Sequence, residues 1–298
     1  MRFSLAFAAL AASVVLASST AHAAPDAAEP TASTCTAYID ALPYTIDAPG
    51  TYCLRRDQVS AYYGQAILVM SSDVTVDCRN RRISLAPGQY AGGTTGVGLD
   101  MGLGNVKVQN CQLSGFDIGV WMPFNGANNA VRNNRIDRFT SSGIQAGGDN
   151  FEAANNRITY GGGMYNGSTG ISLSGDMAVG GANGQALTNN LIAGLYGPTA
   201  AGIMAVGSNG LRVINNHVMG VRANANGPAS GMTFNLTPDL QLINNSISAM
   251  SQDQVFTPMQ SQTPPALCRG NTIYNSIQMP FYGCLRTFDN TTVQTPIY

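Results

Sequence analysis

The sequence predicts an all-β chain wound into a solenoid, in which each coil contains about three short strands. A six-residue pattern with two central asparagines recurs along the chain, and a Gly-apolar pair recurs between its successive copies. A unit that repeats every few tens of residues is the signature of a solenoid. Two repeating marks in constant order are much harder to obtain by chance than one mark.

The asparagine pattern has an apolar residue at each end and Asn-Asn at its centre. Clear copies are Val131–Ile136, Ala154–Ile158, Leu187–Ile192, Val213–Val218 and Leu242–Ile247, with looser copies at Val108–Leu113 and Gly270–Ile273. A side-chain amide is both a donor and an acceptor, so stacked asparagines can bond to the coils above and below. We therefore expect an asparagine ladder, and we expect the closing apolar residues to stack in one column: Ile83, Leu113, Ile136, Ile158, Ile192, Val218, Ile247 and Ile273.

The second mark lies between consecutive members of that column. Its copies are Gly96-Val97, Gly119-Val120, Gly143-Ile144, Gly170-Ile171, Gly202-Ile203 and Gly231-Met232. Apolar residues alternate with others around both marks, which indicates strands with one buried face. A leucine-rich repeat would need a denser spacing of leucines, and an up-and-down barrel would need hairpin turns between less uniform segments.

The ends of the chain predict export and capping. Residues 1–23 are expected to be a secretory signal peptide, because Arg2 precedes an apolar run and Ala21-His22-Ala23 fits a cleavage site. A membrane anchor is the alternative, but the run is short for a span of about 20 residues. Residues 24–34 are interpreted as a flexible lead-in, 35–70 as an N-terminal cap with the first strands, and 71–298 as the solenoid with a C-terminal capping segment. The expected location is periplasmic or extracellular.

The composition restricts the partners. Only 10% of the residues are charged, and 15 basic residues nearly balance 16 acidic ones. No strong field is available to recruit nucleic acid or an anionic membrane, and no later segment is apolar enough for membrane insertion. A neutral, polar partner such as a glycan is favoured. No cofactor and no metal are predicted, and the pattern does not specify an oligomeric state.

Six cysteines follow the predicted leader. An even number of cysteines in an exported protein indicates disulfides. Their positions suggest that Cys35 pairs with Cys53 and Cys268 with Cys284 at the two ends, and that Cys78 meets Cys111 in successive coils. The spacings do not resemble a zinc site.

With these features the chain resembles the right-handed parallel β-helix proteins of the pectate-lyase-like superfamily. The resemblance covers residues 44 to 298. It is carried by the Asn-Asn and Gly-apolar marks, by Pro49-Gly50-Thr51-Tyr52-Cys53-Leu54 and by Val74-Thr75-Val76-Asp77-Cys78. It implies the handedness, which also follows the general bias of parallel crossovers. It is specific for the fold and not for the activity.

The resemblance also implies where a site lies. In that superfamily the asparagine turn lies between the second and third strands of a coil, and loops before the first strand border a groove over that strand. Here those third-turn loops are 114–118, 137–142, 159–169, 193–201 and 219–230. The residues expected to bind substrate are Trp121, Gln145, Tyr165, Tyr196 and Asp117.

The catalytic clusters of the superfamily are missing from this sequence. Polygalacturonase-like hydrolases and calcium-dependent lyases would place several carboxylates on the first strands, and only Asp100 is found there. We instead expect His217 or Tyr160 to act as a base, with Arg138 and Arg222 holding a uronate carboxylate, in a β-elimination without a metal. His217 is expected to lie beside Arg157 and Arg135 of neighbouring coils.

Two functions remain open from the sequence. The first is a secreted polysaccharide lyase, or a related carbohydrate-active enzyme, acting on an acidic polysaccharide. The second is a non-catalytic exported β-helix that binds glycan or serves as a surface scaffold. An oligomeric adhesive or phage-type β-helix is a third, weaker option.

Overall fold

The computed structural model describes residues 34–89, 91–163, 167–175, 181–224, 227–248, 256–261, 266–274 and 283–293. The predicted signal peptide, residues 24–33 of the lead-in and Tyr165 lie outside the described residues, as does part of the C-terminal capping segment. Within the described ranges all regular structure is β-strand. Those ranges contain no helix with the length and apolarity needed to cross a bilayer.

The strands form a parallel β-solenoid of about eight turns with three long sheets. Along each coil the chain passes through a first, a second and a third sheet in that order. Among the described residues the first sheet contains nine strands: Tyr44–Ile46, Gln65–Val69, Thr95–Leu99, Ile118–Met122, Ser142–Gly147, Ser168–Ser174, Ala200–Val206, Ala229–Asn235 and Phe256–Ser261. The second contains eleven: Ala37–Ile39, Gly50–Leu54, Val74–Asp77, Lys107–Gln109, Ala130–Arg132, Glu152–Ala154, Ala186–Thr188, Arg212–Ile214, Gln241–Ile243, Ala266–Arg269 and Cys284–Phe288.

The described part of the third sheet contains ten strands: Gln58–Ser60, Arg82–Leu85, Gln112–Ser114, Arg135–Asp137, Arg157–Thr159, Leu191–Gly197, His217–Ala223, Ser246–Ser248, Thr272–Tyr274 and Thr291–Val293. A short parallel pair, Ala182–Asn183 with Ser208–Asn209, lies between the first and second sheets along the chain. Two third-sheet strands, Leu191–Gly197 and His217–Ala223, continue into segments that were expected to be loops. Tyr196 and Arg222 therefore lie on strands.

Both predicted columns are confirmed by the register of the sheets. Each closing apolar residue of the asparagine pattern pairs with the next one, from Ile83 to Ile273, in the third sheet. The apolar members of the Gly-apolar pairs align in the same way from Val97 to Met232 in the first sheet. All of these apolar side chains are buried, and they form the interior of the solenoid.

The asparagine ladder uses one amide of each pair. The second asparagine is buried, and its Nδ2 donates to Oδ1 of the equivalent asparagine in the next coil at 2.9–3.1 Å. The ladder residues are Asn134, Asn156, Asn190, Asn216, Asn245, Asn271 and Asn290. The first asparagine of each pair instead adopts a positive φ, 57° at Asn133 and 54° at Asn189, and makes the turn. Asparagine tolerates this left-handed conformation better than most residues.

The three predicted disulfides are present: Cys35–Cys53, Cys78–Cys111 and Cys268–Cys284. The bridge from Cys78 to Cys111 links successive coils at the asparagine turn. The backbone N–H of Cys111 donates to Oδ1 of Asn134. Cys111 thus occupies the ladder position of its coil, and the disulfide continues the column of stacked contacts toward the N-terminus.

Residues 35–70 supply the outermost strand of every sheet at the N-terminal end. Ala37–Ile39, Tyr44–Ile46 and Gln58–Ser60 are the edges of the second, first and third sheets. This position covers the apolar interior below the first complete coils. Because their strands are already in register with the solenoid, the boundary of the cap at residue 70 stays a prediction.

Candidate functional site

The outer face of the first sheet carries a groove of about 500 Å³ over four successive coils. Two register rows form its floor: Gln145, Ser172, Met204 and Thr233 in one, and Ser142, Thr169, Ala201 and Ser230 in the other. Its edge is formed by residues just before those strands, Gly167, Thr199 and Pro228. The groove lies where the resemblance implies one, with Gln145 as the predicted binding residue that lines it.

The lining of the groove is polar and uncharged. It consists of serine and threonine hydroxyls, the amide of Gln145, and small or apolar side chains; among the described residues none that lines it is titratable. Each hydroxyl can donate one hydrogen bond and accept others, as can the amide group of Gln145. General acid–base catalysis needs a titratable group within hydrogen-bond reach of the reacting proton. The described lining of the groove therefore has the chemistry to bind hydroxylated molecules.

Trp121, the one tryptophan of the sequence, continues the floor of the groove toward the N-terminus. It is half-buried on the outer face of the first sheet and is the register partner of Gln145. Neighbouring parallel strands are about 4.8 Å apart, so its ring lies one coil from the groove floor. The coil before it has Gly98 in the same row. An aromatic side chain at this place offers a flat apolar surface at one end of a polar groove.

Three of the predicted site residues lie on successive coils in a second place, the corner where the strands of the third sheet end. Tyr196 and Arg222 are register partners on adjacent strands, and both are exposed. Tyr160 ends the preceding coil at a φ of 56°. Its ring packs over Gly194, where a Cβ would lie 3.3 Å from Cδ1 of the tyrosine. These three residues, Tyr160, Tyr196 and Arg222, thus occupy three successive coils, and their place is named the third-sheet corner below.

Arg138 and Asp117 lie near these features but have partners within the protein. The Arg138 guanidinium donates to Oγ of Ser114 at 2.7 Å and lies 3.2 Å from the Asp137 carboxylate. Asp117 accepts hydrogen bonds from the Gly93 N–H at 3.0 Å and the Thr140 hydroxyl at 2.6 Å. These contacts fix the turns that carry them, so either residue would have to exchange a protein partner for a ligand.

His217 begins its third-sheet strand, at the end of the strand nearest the asparagine turn. The expectation that it neighbours Arg157 and Arg135 is wrong, because Leu191 is its register partner and separates it from Arg157. Arg222 follows five residues later on the same strand, past the bend at Gly220, so the structure does not bring these two side chains together. Burial lowers the pKa of His217 from its ordinary value of 6.5, which favours the neutral imidazole.

Sequence reasoning missed much of the groove. The row Ser142, Thr169, Ala201 and Ser230 and the edge residues Thr199 and Pro228 were not singled out. The sequence does contain a signal for these edge residues, because each lies three residues before the glycine of a Gly-apolar pair. Thr199 precedes Gly202 and Pro228 precedes Gly231 in this way. Within the described ranges, no three His, Cys, Asp or Glu side chains form a group that could hold a metal ion.

Comparisons with known proteins give a match in structure but not in sequence. No protein-family model matches the chain, and no curated protein matches it. Among solved structures, PfbA, a surface adhesin of Streptococcus pneumoniae, superposes with a TM-score of 0.57 at 14% identity over 83% of this chain. This chain spans 62% of the adhesin structure, or about three-fifths of its length.

Two further structures match with lower scores. DFA-IIIase from Arthrobacter chlorophenolicus has a TM-score of 0.46 at 13% identity, with 83% of this chain and 62% of that chain covered. An alginate lyase from a Paenibacillus species has a TM-score of 0.45 at 13% identity, with 84% and 86% covered. At these identities the similarity concerns the fold alone. The fold of this chain is a parallel β-solenoid, and the adhesin structure is similar to it in that respect.

Proposed function

We propose that this protein is an exported carbohydrate-binding β-helix that holds a neutral glycan along the first-sheet groove without cleaving it. The observation that carries the proposal is the lining of that groove, which is rich in hydroxyl groups and, as far as the described residues go, contains no titratable side chain. Sugar hydroxyls can exchange hydrogen bonds with such a surface, while Trp121 offers a ring face at one end. Three disulfides support an oxidising compartment outside the cytoplasm, periplasmic or extracellular.

The groove is tested by blocking its floor. We expect Ser172→Tyr to weaken binding of a neutral oligosaccharide at least about tenfold, because the ring would occupy the space between Gln145 and Met204; tenfold corresponds to about 1.4 kcal/mol. Ser246→Tyr is the matched control, since Ser246 is a half-buried, outward residue of the third sheet. The chain has one tryptophan, so quenching or enhancement of its fluorescence reports ligand next to the groove. Equal affinities for both variants and the wild type would exclude the groove as the site.

A second candidate function is metal-independent β-elimination at the third-sheet corner, favoured by the register pairing of Tyr196 with Arg222. Arg222 would hold a uronate carboxylate, and Tyr196 or Tyr160 would remove the proton alpha to it. The carbon–oxygen bond beta to that carboxylate then breaks, a carbon–carbon double bond forms, and the phenol returns a proton to the leaving oxygen. This corner has phenol groups, which are not found among the described residues that line the groove.

The two candidates predict different outcomes with acidic polysaccharides. Under the binding proposal, incubation with polygalacturonate or alginate produces no ultraviolet absorbance from unsaturated chain ends. Absorbance that Tyr196→Phe and Arg222→Gln each reduce by about 10²-fold or more, the size of a general acid–base contribution, would establish the lyase. Ser172→Tyr serves as the control here, because it leaves the third-sheet corner intact.

A further inference from the structure

We infer that the outer face of the third sheet carries a separate binding site for an acidic polysaccharide, built on Arg135 and Arg157. The inference does not depend on the groove proposed above, which lies on a different sheet. It starts from the register of two adjacent strands, in which these two arginines are direct partners. Both side chains are exposed, and strand spacing holds their backbones about 4.8 Å apart.

The charge of this arginine pair is not balanced by neighbouring side chains. In the described part of the chain neither guanidinium has an ion pair, and the register partners beyond them, Gln112 and Leu191, are uncharged. The acid on the same sheet, Asp137, is bound to Ser114 and Arg138. Glu152, on the second sheet, is paired with Arg132. Like charges placed directly opposite each other on adjacent strands are destabilising, so a bound anion would relieve a repulsion that the protein itself leaves in place.

The surroundings of the pair suit a sugar chain better than an isolated anion. Asn133 and Asn155 stand two residues before the arginines, at φ values of 57° and 56°, and both are exposed. Their ladder neighbours are buried, but these two amides face solvent and can donate and accept hydrogen bonds. Two guanidiniums beside two amides, repeated from coil to coil, match a polymer in which acidic groups and hydroxyls both recur along the chain. Arginine binds carboxylate and sulfate oxygens through paired N–H groups.

The overall charge argues that this attraction is local. The chain has a net charge of −1, so it offers no general field for polyanions. Recognition must therefore come from the arginine pair and its flanking amides, and it must weaken as salt screens the charges.

The test measures binding of the leaderless chain, from Ala24 onward, to polygalacturonate and dextran sulfate, with uncharged dextran as the reference, at low and high ionic strength. We expect salt-sensitive binding of at least one acidic polymer and a loss of at least tenfold in Arg135→Gln/Arg157→Gln. Arg212→Gln, at an exposed outward arginine of the second sheet, should bind like the wild type. Neutral-glycan binding reported by Trp121 should stay unchanged in the double variant, which separates this site from the groove.

Two outcomes would overturn the inference. One is an unchanged affinity of the double glutamine variant for both acidic polymers; the other is an equal loss in Arg212→Gln, which would indicate non-specific attraction. A third variant, Arg135→Lys/Arg157→Lys, guards against a folding defect, because it keeps both charges. It should bind more weakly than the wild type and more tightly than the double glutamine variant, because lysine keeps the salt-sensitive attraction but loses the paired N–H contacts of arginine.

Discussion

Replacing Asn190 with alanine is expected to lower the free energy of unfolding by about 4 kcal/mol, at about 1 kcal/mol for each of four hydrogen bonds lost. Its Oδ1 accepts from the backbone N–H and from Nδ2 of Asn156, both at 3.0 Å. Its Nδ2 donates to the carbonyl of Ala153 and to Oδ1 of Asn216, both at 2.9 Å. The site is buried, so water cannot replace these partners.

The neighbouring residue provides the control for Asn190→Ala. Asn189 is also an asparagine of the same pair, but it serves the turn through its positive φ of 54°. Glycine adopts this conformation readily, so Asn189→Gly is expected to change stability by less than about 1 kcal/mol. Urea-induced unfolding followed by circular dichroism measures both variants. Equal effects at the two positions would show that the pair acts as a turn and that the ladder contributes little.

Gly170→Ala is expected to destabilise the protein by about 3 kcal/mol, because the first sheet leaves no room for a side chain at this place. A Cβ would lie 2.5 Å from Cγ2 of Ile192 and 2.6 Å from the carbonyl oxygen of Gly202. The second contact is with backbone in the next coil, which cannot move without disturbing the register. The backbone of Gly170 does not have a positive φ. The glycine is required for close approach, and the equivalent position of the next coil, Gly202, shows the same crowding.

Gly163→Ala is the matched control for this prediction. No heavy atom lies within 4 Å of a Cβ built at Gly163, and its φ is not positive. We expect its thermal unfolding temperature to stay close to that of the wild type, while that of Gly170→Ala falls by several degrees. A Gly170→Ala protein as stable as the wild type would mean that the coils separate easily and that the glycine column has another origin.

The interior of the solenoid could be predicted from the sequence because each inward position repeats. Ile136, Ile158 and Ile192 close the same six-residue pattern and are register partners, although the coils between them differ in length by 12 residues (22 against 34, by subtraction of their numbers). Ladder asparagines need the same residue type above and below, so the requirement leaves a visible periodic trace. The pairing of Cys78 with Cys111 followed from the same argument. Asn290 was missed because an aspartate replaces the first asparagine of its pair.

The candidate site could be predicted only in part. The sequence located the face of the groove and one of its lining residues, Gln145. It also selected Tyr160, Tyr196 and Arg222, which lie on three successive coils with Tyr196 beside Arg222. It misplaced His217 beside Arg157, although the predicted column Ile158, Ile192 and Val218 already places Leu191 between them. Outward positions vary freely from coil to coil, because solvent satisfies any polar side chain. Which of them share a surface therefore depends on the register and on how far each turn extends.

The sequence by itself determined how the coils stack, because buried apolar residues, ladder amides and closely packed glycines each lie beside an equivalent residue in the neighbouring coil. Only the tertiary structure decided which outward rows share a surface: the groove over four coils, and the pairing of Tyr196 with Arg222 on strands that extend past the predicted turn. The physical reason is that burial imposes the same requirement on every coil, whereas contact with water imposes none.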